Sequence, residues 1–389
     1  MNIKLNINRN DIAQLASSYR QYIVETRRNF DGNSNLNLQE IKTSKSVIEE
    51  LGNMGIPYRI CGNTGIIATI KGNATGKTIA LRADMDASEI NEKTFANYEF
   101  QYKGVNQGIG SDGHVAMLLG AAKILNEVKN EINGTVQLIF QPAEELAEGA
   151  SKMIEEGAIE GVDGVFGVYL WPYLESGKIS VEAGPRMASV DIFKVIVSGK
   201  RGHAALPHQG VDATLAAASI VMDLQSIVSR EMSPFEPVVV TVGKLNSGEK
   251  YNSLATKAIL EGTTRCFNHE IRNSFHQIIE RIVKNTANTY RAQAELEYRF
   301  ATPPLINDIK CSQIAEGTVE RLWGRDALVK MDKLTLGDDF AMYMEKVPGT
   351  VAFIGTETED VKESHSIDEQ NLIMGTLLYA QYAIDFLKE

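Results

Sequence analysis

The sequence predicts an α/β protein in which a mostly parallel sheet carries an inserted, smaller α+β domain. Three observations predict it. Short β-branched runs alternate with helical patterns over the first half of the chain, and acidic or amide residues follow directly on the ends of those runs. Near Ser189 the order changes to β-α-β-β-α, and the first pattern resumes after Thr302-Pro303-Pro304. The expected boundaries are 1–188 plus 301–389 for the sheet domain and 189–300 for the insert. At 389 residues the chain exceeds what one hydrophobic core usually supports, which also implies two domains.

Apolar residues recur at helical spacing from Ile12 to Ile23 and from Ile41 to Leu51. Strands follow at 65–70, 78–83, 136–140 and 165–169, with a helix from about Gly113 to Val128 between the second and third. Such alternation gives a parallel sheet covered by helices, whose chemistry gathers at the carboxyl ends of the strands. Asp84-Met85-Asp86, Gln141 to Glu145, and Tyr169 all stand at such ends. Within the insert the pattern reads strand 190–197, helix 212–229, strands 238–242 and 258–263, and helix 271–287.

The composition, 43% hydrophobic and 23% charged, is that of a soluble globular protein. A net charge of -11 argues against nucleic acid and anionic membranes, which need a basic face. No apolar stretch approaches the roughly 20 residues that span a bilayer, and the first residues lack the apolar core of a signal peptide, so a cytoplasmic protein is expected. Cys61, Cys266 and Cys311 are odd in number and far apart, which reads as reduced, partly buried thiols.

Several runs carry a resemblance: Glu25-Thr26-Arg27-Arg28, Ala80 to Ala87, Gln141-Pro142-Ala143-Glu144-Glu145, Leu170-Trp171-Pro172, Gly202 to His208, and Gly337-Asp338-Asp339-Phe340. Together, with matching spacing over nearly the whole chain, they resemble the amidohydrolase branch of hippurate hydrolases and auxin-conjugate hydrolases. That branch lies within the aminoacylase and carboxypeptidase metallopeptidase family. The resemblance implies a catalytic-type sheet domain, a lid or dimerisation insert, a homodimer, and a small amide or amino-acid conjugate as substrate. It makes Glu144 the general base. It brings His203 to the scissile carbonyl, in several members from the neighbouring subunit, and gives Asn252 and Arg265 the substrate's polar backbone and carboxylate.

The family's metal ligands are mostly replaced. Its His-Ala-Cys-Gly-His-Asp segment aligns with Gln107 to Asp112, so Ile109 and Ser111 stand where a cysteine and a histidine bind metal. Tyr169 holds the place of the ligand histidine before the Trp-Pro pair. The last ligand falls on Val361, or on His365 after a shift, and Glu145 alone is retained.

A divalent ion brings the pKa of bound water from 15.7 to about 7, on the order of 12 kcal/mol. A general base alone supplies about 10² to 10⁴ in rate. Three readings follow: a catalyst using Glu144 without the two-metal centre, a non-catalytic binding or regulatory protein, or a hydrolase whose Asp84, Asp112, Glu144 and Glu145 hold a harder ion. No cofactor is expected beyond a weakly held divalent metal. Local alternatives also stay open. Ser111 is a substrate-binding hydroxyl, a nucleophile in need of a base, or a helix cap with Asp112. His114 is structural. Tyr169 is an oxyanion donor or packing. Arg265 is a carboxylate fork or a surface strand arginine.

Overall fold

The computed structural model describes residues 9–31, 36–86, 111–144, 147–357 and 368–389. In chain order its main elements are α1 (Arg9–Ser18), α2 (Arg20–Asp31), α3 (Leu36–Asn53), β1 (Tyr58–Cys61), β2 (Gly65–Lys71), β3 (Ala74–Asp84), α4 (Ser111–Glu127), β4 (Asn133–Gln141), α5 (Gly149–Glu155), β5 (Gly164–Glu175), β6 (Ile179–Ser180), β7 (Val190–Ser198), α6 (Ala213–Leu224), β8 (Val238–Ser247), β9 (Lys257–Cys266), α7 (His269–Thr289), β10 (Gln293–Thr302), α8 (Ile309–Trp323), β11 (Gly349–Glu357) and α9 (Glu369–Phe386). The chain divides into two compact units. One comprises Met1–Gly184, Asn307–Asp332 and Met342–Glu389; the other comprises Pro185–Ile306 and Lys333–Ala341. The return segment Lys333–Ala341 therefore belongs with the smaller unit, although the sequence placed all of 301–389 with the larger one.

In the larger unit a seven-stranded sheet runs in the order β1-β2-β4-β3-β5-β11-β6. Its centre is parallel: β3 pairs with β4 and β5, and β5 with β11. The flanks are antiparallel, where β1 joins β2 as a hairpin, β2 joins β4, and β6 joins β11, so the expected parallel sheet is confined to the middle. The central strands are apolar on both faces because helices cover them. Helix α4 is buried nearly all round, as a helix apolar on every side must be. It lies close against α9, where a Cβ on Gly375 would stand 2.0 Å from the Met117 sulfur. The single helix predicted over Ile12 to Ile23 is two, breaking at Tyr19.

The smaller unit shows the expected β-α-β-β-α order, completed by one strand the sequence did not yield, β10. Its antiparallel sheet runs β10-β7-β9-β8. Ala216 and Ile220 of α6, Phe275 and Ile279 of α7, and Phe193 and Val195 of β7 form a separate core. Within it the fully buried Asp191 is gripped by Arg272, whose Nε and Nη2 donate to the carboxylate at 2.9–3.2 Å. Asn268 and Asp212 cap the two helices, each accepting from a backbone N–H of the first turn.

Candidate functional site

Three parallel strands end side by side in the larger unit, and a single buried guanidinium ties them. Arg82, 1% exposed on β3, donates from Nε to Gln141 Oε1 at the end of β4 (2.9 Å). From Nη1 it donates to the hydroxyl oxygen of Tyr169 on β5 (2.9 Å) and to Asp84 Oδ1 on its own strand (3.2 Å). Asp84, 7% exposed, also accepts from Ser111 Oγ at 2.7 Å and from His114 Nδ1 at 2.9 Å. The first turn of α4 is thereby joined to the sheet. His114 closes the web, since the Leu170 N–H donates to its Nε2 at 3.0 Å and leaves the ring proton on Nδ1.

Burial by itself pushes the Asp84 carboxyl upward, but the His114 ring and the Arg82 guanidinium, with the Ser111 hydroxyl, outweigh it and hold Asp84 below the usual carboxylate range. A carboxylate so stabilised is a poor base for Ser111, and the Nε2 atom of His114 is occupied by the Leu170 N–H. Among the described residues, nucleophilic Ser111 therefore has no activating base. The capping expectation for Ser111 and Asp112 also needs correction. The Ser111 hydroxyl goes to Asp84, and Asp112 Oδ2 pairs with Arg27 Nε of α2 at 2.8 Å, so both side chains serve tertiary contacts. His114 is 4% exposed and structural, as its sequence position suggested.

Glu144 sits three residues past the end of β4, partly exposed, on a tightly wound turn. Ala143 and Ala147 flank it with φ of 56° and 53°, a left-handed backbone that alanine adopts at a cost of about 1–2 kcal/mol per residue. The Ala147 N–H donates to the Glu144 carbonyl (2.8 Å) and the Gly149 N–H to the Ala143 carbonyl (3.1 Å). Gly149 is required: a Cβ there would lie 1.7 Å from the Pro142 carbonyl oxygen. Glu145 and His365, and the positions Gln107 to Gly110 and Val361, lie outside the described residues.

In the smaller unit, His203 and Asn252 are brought together. Their loops pair through a bridge between His203 and Ser253, and the Ala204 N–H donates to the Asn252 carbonyl at 3.1 Å. Both side chains are exposed, and the His203 Nδ1 accepts from the Ala205 N–H. Arg265 is elsewhere. It lies near the far end of β9, eight residues beyond Lys257, which is roughly 25 Å of strand at ~3.3 Å per residue. It is not a free surface arginine, because Nη1 donates to the Thr335 carbonyl at 2.8 Å and burial lowers its pKa.

The bond between Arg82 and Gln141 is one that sequence reasoning did not anticipate, although Gln141 was named at its strand end. The signal was present: an arginine inside the apolar run Ile79 to Ala83 must be buried, and a buried arginine needs an anion. Asp84, two residues on and so on the same strand face, supplies it.

Comparison with known proteins bears on this arrangement. The model of peptidase family M20/M25/M40 matches residues 80–385. The chain is 35% identical over 378 residues to an N-acetylcysteine deacetylase of Bacillus subtilis, covering 95% of this chain and 98% of that protein. It is 37% identical over 379 residues to the Arabidopsis thaliana IAA-amino acid hydrolase ILR1-like 2, covering 95% and 86%. The crystal structure of Bacillus subtilis YXEP, described as a dinuclear metal binding peptidase from the M20 family, superposes with a TM-score of 0.80 at 32% identity, over 96% of this chain and 99% of that one.

Proposed function

The chain belongs to peptidase family M20/M25/M40, and from that premise we propose that it is an amidohydrolase acting on small N-acyl amino acids or related amino-acid conjugates. Glu144 is the general base, and the reaction proceeds without the family's two-metal centre. The observation that carries the metal-free reading is the commitment of the two substituted positions that lie among the described residues, Ser111 and Tyr169. The Ser111 hydroxyl already donates to Asp84, and the Tyr169 oxygen already accepts from Arg82. Two neutral hydroxyls, one of them against a buried cation, do not fit a pair of transition ions that prefer imidazole and thiolate. Of the four carboxylates in the oxygen-rich reading, two are already engaged: Asp84 by Arg82, His114 and Ser111, and Asp112 by Arg27.

Arg265 reads the substrate carboxylate with its planar fork. His203 and Asn252 lie on paired loops that precede or flank β9, whereas Arg265 lies near the far end of that strand, and this arrangement supports a homodimer of C2 symmetry in which one copy supplies Arg265 and its partner supplies His203 and Asn252. No described helix is long and apolar enough to cross a membrane.

The test is hydrolysis of N-acetyl-L-cysteine and N-benzoylglycine with and without a chelator, beside elemental analysis of protein purified without metal-affinity resin. Turnover that survives chelation and disappears in Glu144→Gln, with affinity retained, supports the reading. Turnover abolished by chelator and restored by zinc overturns the metal-free mechanism. Affinity without turnover in the wild-type protein makes the chain a binding protein instead.

A further inference from the structure

We infer that Tyr251 selects the acyl group of the substrate, and that it does so in the site of a second copy of the chain, carried there on the same turn as Asn252. This rests on the amidohydrolase and homodimer readings and deepens them.

Two loops of the smaller unit carry the argument. One joins β7 to α6 and holds His203; the other joins β8 to β9 and holds Asn252. They are clamped together. The Leu254 N–H donates to the Gly202 carbonyl at 2.9 Å and the Ala204 N–H to the Asn252 carbonyl at 3.1 Å. Gly202 and Gly210 pack so closely on Leu254 that a Cβ on them would lie 3.0 and 2.7 Å from its Cδ1. The second loop reverses through a hydrogen bond from the Ser253 N–H to the Lys250 carbonyl at 3.3 Å, so Tyr251 and Asn252 are the two central residues of one β-turn.

On this clamped tip apolar side chains face solvent. Tyr251 is 100% exposed, more than any other large apolar side chain among the described residues, and Leu206 of the His203 loop is 43% exposed. Ala204, Ala205 and Pro207 of that loop are exposed as well. A lone exposed apolar residue needs no explanation, but several on a fixed tip beside polar recognition groups have the composition of a ligand contact. Tyrosine suits the task because it brings a large flat surface with only two torsions to order. The substrate has three parts to be held. Arg265 of one copy takes the carboxylate, His203 and Asn252 of the other take the amide, and the acyl group remains for Tyr251 on the same turn. An aromatic acyl group gives the Tyr251 ring a partner to pack against, whereas an acetyl group gives it one methyl.

The experiment measures a selectivity ratio, kcat/KM for N-benzoylglycine over that for N-acetylglycine, two compounds that differ in the acyl group alone. N-acetyl-L-phenylalanine, whose ring lies on the amino-acid side, is the control. Tyr251→Ala should lower the ratio about tenfold, near the upper end of what one aromatic pair contributes, and Tyr251→Phe should keep it within about twofold. Mixed dimers of Arg265→Ala and His203→Ala subunits hold one intact site and so identify the copy that supplies Tyr251. Adding Tyr251→Ala to the Arg265→Ala subunit, which gives that site its His203, should lower the ratio; adding it to the His203→Ala subunit should not. The inference is overturned by an unchanged ratio in Tyr251→Ala, by a loss confined to N-acetyl-L-phenylalanine, by a wild-type protein that hydrolyses N-acetylglycine but not N-benzoylglycine, by the same effect from either subunit, or by mixed dimers that regain no activity. If the wild-type protein turns over none of the three compounds, the amidohydrolase reading fails and calorimetry decides the inference separately. It then stands if Tyr251→Ala weakens binding of N-benzoylglycine about fivefold more than that of N-acetylglycine, and falls if both weaken alike or neither binds.

Discussion

Replacing Asp84 by asparagine keeps the shape of the web and removes one charge from its centre. Asp84 accepts from Ser111, His114 and Arg82 at 2.7, 2.9 and 3.2 Å. Asparagine retains one acceptor oxygen and turns an amide N–H toward a group that is itself a donor. Arg82, 1% exposed, loses the charge that balances it. Removing one member of a buried ion pair costs about 3–5 kcal/mol, and a unit of this size shifts by about 2 °C per kcal/mol. The Tm of the larger unit should therefore fall by about 6–10 °C. The pH dependence has a definite sign. The Asp84 carboxyl is held below the usual range in the folded protein, so its contribution is complete above the unfolded value near ~4 and is lost as pH falls below it. The gap between wild type and Asp84→Asn should be full at pH 6 and narrow below pH ~4. Scanning calorimetry or thermal circular dichroism across that range measures it. A Tm change under about 2 °C, or a gap that does not narrow in acid, would refute the view that Asp84 is an ionised partner of Arg82.

Three further outcomes follow from the geometry. His203→Ala and Arg265→Ala, each weakly active alone, should regain about half of wild-type activity when co-expressed and isolated as mixed dimers, because one of the two sites then has both residues intact; mixed dimers no better than either parent would place all three residues in one subunit. Gly149→Ala puts a methyl group where the Pro142 carbonyl stands, 1.7 Å away, so the Glu144 turn must rearrange and turnover should drop at least about tenfold while the fold persists; unchanged kinetics would detach that turn from the chemistry. Burial raises the Cys61 and Cys266 thiols and pushes Cys311 up to about 12, so a thiol reagent at pH 8 should find almost nothing in the native protein and all three thiols after unfolding.

Much of the fold was legible because periodicity survives in a single chain. The β-branched runs at 65–70, 78–83 and 136–140 are strands, and the second compact unit starts at Pro185, a few residues before the change of pattern near Ser189. β10 was missed because its run Gln-Ala-Glu-Leu-Glu-Tyr alternates with too many charges to look apolar, and only pairing with β7 makes it a strand. The antiparallel flanks of the large sheet were hidden for a related reason: neither β1 nor β6 is long enough to announce its direction.

The sequence by itself determined the family, the α/β architecture and the position of Glu144 after β4, and its family resemblance implied that Ser111 and Tyr169 stand at metal-ligand positions. Only the tertiary structure decided which contacts those two side chains make. Side chains from β3, β4, β5 and α4 meet at Arg82 and Asp84 although tens of residues separate them along the chain. Whether Ser111 caps, attacks or supports depends on which atom lies within about 3 Å of its hydroxyl, and that is fixed by the register of parallel strands and the docking of a helix. The separation of Arg265 from His203 and Asn252 is likewise a property of strand length, because a β-strand extends by ~3.3 Å at every residue and carries its two ends apart.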